Sequence, residues 1–292
     1  MRVLDQHTPP EQALGRVDEV RYAEVERPPA SANLPEATAG GLALRVEDLT
    51  FAFPDATHDA LDRLSFSLEA GATLGVFGLT GSGKSTLLNL LSRVYDPPPG
   101  TVFVGDVDVT TLAVEEYWSR VAYVTQEPFL FSRSVGGNIA LASHESEVAP
   151  EEVLAAAEDA ALAPDLDMLP SGLDTRVGER GITLSGGQKQ RTALARAFFR
   201  SFDLLLLDDV LSAVDHETEK TLIGSIYRRA AGATMLLVSH RCSVLAQAER
   251  IVVLEEGKIR QVGSHAELIL DPTSPYTRAW RLQQAESEGE DG

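Results

Sequence analysis

The chain has 292 residues, 43% of them hydrophobic, which is ample material for a buried core and roughly two domains' worth of length. Its 25 Lys and Arg against 44 Asp and Glu leave a formal charge of −19 with no basic patch of any size, which argues against nucleic acid as a partner and against a charge-driven grip on anionic lipid. The single cysteine, Cys242, excludes an internal disulfide framework and a paired-cysteine zinc site, fits a reducing cytosol, and reads as a small buried residue.

From residue 1 to about 41, proline, alanine and glutamate dominate, with breaks at Pro9-Pro10, Pro28-Pro29 and Gly40-Gly41. This stretch reads as a linker. Residues 11–24 suit a short helix, the stub of a longer element if the physiological chain extends further N-terminally. The body then alternates apolar runs at 72–77, 121–125, 204–207, 234–239 and 251–254 with helical stretches such as 87–94. That alternation predicts an α/β fold with a mainly parallel, buried sheet. Residues 150–169, rich in Ala, Glu and Leu without a strand signal, predict a helical insertion. The acidic, small residues at the end predict a solvated tail. No apolar run approaches the about 20 residues that cross a bilayer, and the first residues lack a charged start followed by an apolar signal core.

The run Gly78-Leu79-Thr80-Gly81-Ser82-Gly83-Lys84-Ser85 lies between the strand at 72–77 and a helix over 85–91. Glycines there let the backbone fold tightly, so that N–H groups face a phosphate at a helix N-terminus. Lys84 supplies a point charge, and the Ser85 hydroxyl suits Mg²⁺. This context makes the motif a nucleotide phosphate loop rather than an incidental glycine turn.

A second glycine cluster ends in Leu184-Ser185-Gly186-Gly187-Gln188 and leads into a helical pattern over 189–200. Alone it reads equally well as a surface loop. Next comes Leu204-Leu205-Leu206-Leu207-Asp208, a buried strand ending in the kind of carboxylate that holds Mg²⁺ in nucleotide hydrolases.

With these three elements in this order, the chain resembles the nucleotide-binding domain of ABC transporters over about residues 42–284, and Leu184-Ser185-Gly186-Gly187-Gln188 is that family's signature. The resemblance implies a P-loop NTPase (RecA-like) core with a mainly parallel sheet, an antiparallel β subdomain, and an α-helical subdomain over about 127–200 that carries the signature. Residues 1–41 become a linker from a membrane domain or its remnant, and 285–292 an acidic tail.

The resemblance further implies ATP and Mg²⁺ as cofactors. Gly78, Thr80, Gly81, Ser82, Gly83, Lys84, Ser85 and Thr86 would cradle the phosphates, and Phe53 would stack on adenine where the family usually has tyrosine. Ser85, Gln126 and Asp208 would hold the metal. Asp209, His240 and Gln126 would be catalytic, His240 as the γ-phosphate sensor. Ser185, Gly186, Gly187 and Gln188 would face ATP on a second nucleotide-binding domain, because a signature this far from Lys84 is expected to point away from its own loop, and a second subunit would close a dry site. Ser212-Ala213-Val214-Asp215 matches the loop that crosses the dimer interface. Gln126-Glu127-Pro128-Phe129-Leu130-Phe131, Ser134-Val135, Asn138-Ile139 and Val177-Gly178-Glu179-Arg180-Gly181 resemble the exporter branch, which implies an ABC transmembrane domain as partner and a place at the cytoplasmic face of the cell membrane. Arg176 departs from the acidic residue exporters usually carry, which bears on coupling to the membrane domain.

Where the family carries a catalytic glutamate, this chain has Asp209. Its carboxylate is one methylene shorter, and a misplacement of about 1 Å can cost about 10²-fold in rate, whereas basicity differs little. A weakened carboxylate beside an intact signature is expected of one half of a heterodimeric exporter, which binds ATP, turns it over slowly and completes its partner's site. A homodimeric ATPase that tolerates aspartate is the alternative within the family. A nucleotide-gated, non-hydrolytic binding subunit and a soluble non-transport ABC ATPase are the alternatives of a different functional class. The last would normally need a second motif set, a coiled-coil insertion or a basic surface.

Overall fold

The computed structural model describes residues 30–37, 40–54, 56–143, 148–178, 182–212, 214 and 216–290. Residues 1–29 of the expected linker, Glu179 to Gly181, and Ala213 and Asp215 of the interface loop lie outside them. The end of the linker segment packs on the body, where the Ser31 and Ala32 N–H groups donate to the Thr111 carbonyl at 2.9 and 3.1 Å.

Strands β1 (Leu44–Phe51) and β2 (Leu61–Leu68) form an antiparallel pair. Their apolar alternation is interrupted where Asp48 and Arg63 adopt positive φ, and the register shifts there. After β3 (Thr73–Phe77) the chain turns into helix α1 (Lys84–Leu91). The helix ends at 91 as expected of the run after the phosphate loop and does not fill the longer stretch to 94, because Arg93 is left-handed at φ 56° and its buried guanidinium bonds Asp96 and the Leu112 carbonyl.

The short strands β4 (Val102–Val104) and β5 (Val107–Asp108) complete the first sheet in the order β2-β1-β4-β5. Helix α2 (Val114–Arg120) leads to β6 (Val121–Val124). A helical stretch follows: α3 (Val135–Ile139), capped by the Ser134 hydroxyl; α4 (Pro150–Asp159), opened by proline and two glutamates; α5 (Ala163–Met168); and α6 (Gly186–Phe198). Helix α6 starts three residues before the expected 189 because Ser185 and Gln188 form a reciprocal capping box.

The core sheet is completed by β7 (Leu204–Asp208), β8 (Thr234–Ser239), β9 (Arg250–Glu255) and β10 (Lys258–Gly263). Its order is β10-β9-β3-β8-β7-β6, parallel except for the antiparallel β10 edge. The leucine run of β7 shows why these strands are continuously apolar. Leu204 and Leu206 enter the core shared with the antiparallel sheet and α1, whereas Leu205 and Leu207 enter the core shared with the helical stretch. Both faces are covered, and each fully buried leucine contributes roughly 2 kcal/mol.

Helix α7 (His216–Arg229) joins β7 to β8, and α8 (Cys242–Leu245) follows β8. Helices α9 (His265–Leu268) and α10 (Pro275–Glu290) close the described chain. Helix α10 runs through most of the segment expected to be a tail. Cys242 is fully buried, and burial pushes its thiol up to about 12. Among the described residues, no helix is long and apolar enough to cross a membrane.

Because β3, β6, β7 and β8 are parallel, the segments after them emerge at one edge of the sheet: residue 78 onward, Gln126, Asp209 and His240. This edge, the carboxyl ends of parallel strands, is where α/β folds build ligand sites.

Candidate functional site

The glycine loop spans the gap between β3 and α1. Gly81 and Gly83 take φ of +83° and +102°, which side-chain-bearing residues rarely adopt. They differ in surroundings: a Cβ on Gly81 meets open space, whereas one on Gly83 would lie 2.7 Å from the Ala60 carbonyl oxygen. Lys84 donates from Nζ to the Leu79 carbonyl at 2.8 Å, which folds the loop over the lysine stem. Burial holds the Lys84 ammonium below its ordinary value, and the charges of Asp209 and Asp208 pull it back up.

Two adjacent carboxylates leave the end of β7, Asp208 at 3% and Asp209 at 7% exposure. Burial raises the pKa of Asp208 above the usual carboxylate range; a hydrogen bond with Ser85 opposes the rise, the Asp209 charge adds to it, and Lys84 opposes it. Asp209 is left-handed at φ 48°, a conformation aspartate tolerates better than most residues, and its N–H donates to the Val238 carbonyl at 3.0 Å. Its carboxylate accepts from the Ser239 hydroxyl at 3.3 Å and meets His240 Nδ1 at 2.8 Å. That contact is the largest cause of a raised His240 pKa, with burial working against it.

These groups border one cleft of about 380 Å³, also lined by Phe53, Thr80, Ser85, Thr86 and Gln126. Phe53 stands partly exposed, edge-on to Phe51 and Tyr95 with ring centroids 5.2 and 5.7 Å away. A hydroxyl, an amide and a carboxylate, from Ser85, Gln126 and Asp208, thus face one space beside Lys84. Among the described residues, no group of three His, Cys, Asp or Glu could hold a metal alone. A cation here needs this sparse set of oxygen donors plus the oxygens of a ligand, which suits Mg²⁺ and phosphates.

Of the residues expected in the site, Gly78 and Ser82 sit beneath the loop rather than on the cleft: Ser82 is buried, and a Cβ on Gly78 would collide with it. Ser185, Gly186, Gly187 and Gln188 do not line the cleft either. Ser185 Oγ accepts from the Gln188 N–H at 3.2 Å, and the Ser185 N–H donates to Gln188 Oε1 at 3.0 Å. Gln188 Nε2 then donates to Asp165 on α5 at 3.1 Å, and the same carboxylate takes two bonds from Arg191 at 3.0 and 2.6 Å.

Sequence reasoning missed Asp165, together with Ala60 on the cleft wall and Ser239 beside Asp209. For Ser239, its place immediately before His240 was an available signal. For Asp165, 23 residues from Gln188, no spacing rule was available.

A family model described as ABC transporter matches residues 61–212. The multidrug resistance-like ATP-binding protein MdlA of Escherichia coli (strain K12) is 41% identical over 241 residues, covering 82% of this chain and 40% of that protein. ABC transporter B family member 21 of Arabidopsis thaliana is 38% identical over 249 residues, covering 85% and 19%. An ATP-dependent lipid A-core flippase of Pseudoalteromonas atlantica is 38% identical over 240 residues, covering 82% and 41%. The chain therefore spans well under half the length of these relatives. Among solved structures, a bacterial Atm1-family ABC exporter with ATP bound aligns at a TM-score of 0.81 and 31% identity, covering 94% of this chain and 47% of that one.

Proposed function

The chain belongs to the ABC transporter family, and from that premise we propose that it is the ATP-binding and ATP-hydrolysing unit of an exporter, working at the cytoplasmic face of a membrane in an ATP sandwich with a second nucleotide-binding domain. The observation that carries this reading is the division of the motifs. Lys84 and most of the phosphate loop, Gln126, both aspartates and His240 border one cleft, whereas the signature residues lie off it, with Gln188 held by Asp165. A site divided in this way is complete only when another subunit supplies its signature.

In this reading Lys84 and the loop N–H groups bind the phosphates of ATP, and Phe53 stacks on its base. Ser85, Gln126 and Asp208 hold Mg²⁺, which neutralises charge on the transferred phosphoryl group. Asp209 orients the attacking water and accepts its proton, and His240 contacts the γ-phosphate. The short Asp209 side chain, already engaged by His240, supports slow turnover at this site and a heterodimer in which the intact signature serves a more active partner. The same feature gives a second reading some support, a nucleotide-gated subunit with no useful hydrolysis.

The transmembrane partner is part of the proposal. A second groove of about 350 Å³ along the edge strand β6, lined from Val121 up to Thr125, the residue before Gln126, exposes Phe129 (70%) and Phe131 next to Arg196 and Arg200. An apolar, cation-rimmed groove continuous with the Gln126 segment suits a docked segment of a membrane domain. Calorimetric titration with ATP and Mg²⁺ tests the binding claim: the native chain is expected to bind and Lys84→Ala to lose it. No heat of binding from the native chain would overturn the reading.

A further inference from the structure

The turn that carries His240 is gripped from outside the nucleotide cleft on two sides. Glu219, 3% exposed on α7, pairs with Arg241 and accepts from the Ser243 hydroxyl at 3.1 Å. The second grip comes from α10. The Gln283 side-chain amide donates from Nε2 to the His240 carbonyl at 2.8 Å, and its Oε1 accepts from the Cys242 N–H at 2.9 Å. The second bond answers a local need. Helix α8 begins at Cys242, its N-cap Arg241 gives no side-chain cap, and the first N–H groups of a helix have no partner within it.

Helix α10 is itself anchored close to the phosphate loop. Tyr276 is fully buried, packs edge-on against Phe77 at 5.1 Å, and donates from its hydroxyl to the Cys242 carbonyl at 3.4 Å. Gln283 lies seven residues on, two turns along the same face of the helix. One face of α10 therefore touches the end of β3 and the main chain on both sides of the residue after His240.

We propose that Gln283 is a positioning residue for His240. Its paired bonds fix the carbonyl of His240 and the start of α8, so the imidazole is presented to Asp209 and the phosphate cleft, and the C-terminal helix becomes a lever on hydrolysis. This rests on reading His240 as the contact for the γ-phosphate.

Three variants of the full chain test it. Gln283→Leu removes both bonds at similar volume, Gln283→Glu keeps the acceptor for Cys242 and loses the donor to His240, and the exposed Arg281→Ala on the same helix is the control. In the native background, the His240 ring cross-peak in NMR spectra of the nucleotide-free chain is expected to move in Gln283→Leu and stay put in Arg281→Ala. In the Asp209→Glu background, saturating turnover is expected to fall about tenfold in Gln283→Leu, with KM for ATP changed less than about twofold, less in Gln283→Glu, and not in Arg281→Ala. Should the leucine variant fail to fold, Gln283→Glu carries both measurements. An unmoved cross-peak overturns the proposal, as does full turnover in a variant whose cross-peak has moved. A moved cross-peak in a chain that shows no turnover even as Asp209→Glu keeps the grip of Gln283 on His240 and overturns the hydrolysis reading instead.

Discussion

Asp209 Oδ2 and His240 Nδ1 meet at 2.8 Å across the carboxyl ends of the neighbouring strands β7 and β8, with the Ser239 hydroxyl on the other carboxylate oxygen. The contact joins the proposed water-activating group to the proposed phosphate sensor before any nucleotide arrives. It also occupies the carboxylate proposed to act on water.

The same contact makes His240 a pH reporter. The Asp209 hydrogen bond favours the imidazolium and raises its pKa in the folded chain. A raised folded value stabilises the fold fully below the unfolded pKa of about 6.5, and that contribution is lost as pH rises through the raised value. The side chain is half exposed, so the contribution is small. In an NMR titration, Asp209→Asn is expected to move the His240 midpoint down; an unchanged midpoint would show that another group sets it.

Asp208 and Asp209 are adjacent, buried and of like charge, an arrangement suited to a cation rather than to stability. Asp208→Asn removes the repulsion, so the nucleotide-free variant is expected to melt higher than the native chain while losing the extra stabilisation Mg²⁺ gives with ATP. Thermal unfolding with and without MgATP reads both. A lower melting point without ligand would mean that the two carboxylates do not repel one another in the ligand-free fold.

Two glycines of the phosphate loop separate backbone freedom from space. Gly81→Ala incurs only the positive φ and is expected to cost about 1 kcal/mol. Gly83→Ala also collides with the Ala60 carbonyl and Leu61, and is expected to cost more than about 2 kcal/mol and to abolish ATP binding. Equal melting points for the two variants would mean the loop yields more than its packing suggests.

The signature helix depends on Asp165. Its carboxylate serves Gln188 and Arg191 together, with the Asp165 and Arg191 side chains 15% and 12% exposed. Asp165→Ala leaves a largely buried guanidinium unpaired, and a loss of about 2 kcal/mol or more in chemical denaturation is expected. Ser185→Ala removes only the helix cap and is expected to cost about 1 kcal/mol.

The parts of this protein legible in its sequence are those made by residues near one another in the chain. The phosphate loop is eight consecutive residues between a strand and a helix, and β7 announces itself as an unbroken leucine run ending in Asp208. Strands β1 and β2 are blurred because Asp48 and Arg63 turn left-handed and break the two-residue period by which a strand is recognised. The Asp165–Gln188 and Gln283–His240 bonds span 23 and 43 residues, and no local pattern predicts which residues tertiary packing will bring together. The cleft residues were named by their local motifs and the family resemblance, and the parallel strands explain why they meet, because segments that follow parallel strands share an edge. The supports of that cleft and of the signature helix, Gln283 and Asp165 among them, are set by tertiary packing.

If the site is shared between two subunits, two different lesions should complement. In an Asp209→Glu background, Lys84→Ala disables the nucleotide side and Ser185→Arg the signature side, and each alone is expected to be idle. Random pairing of an equal mixture would give one complete site in half the dimers, or about a quarter of the unmutated turnover. No recovery on mixing would contradict a site completed in trans within a pair of these chains.

The most direct test of the central claim is steady-state ATP turnover by the native chain at high concentration, beside Asp209→Glu and with Lys84→Ala as the inactive control. The native rate is expected near the control and the glutamate rate at least about tenfold higher, since the longer side chain recovers the reach that aspartate lacks. A native chain that already turns over as fast as Asp209→Glu would contradict it and favour a homodimeric ATPase in which aspartate suffices.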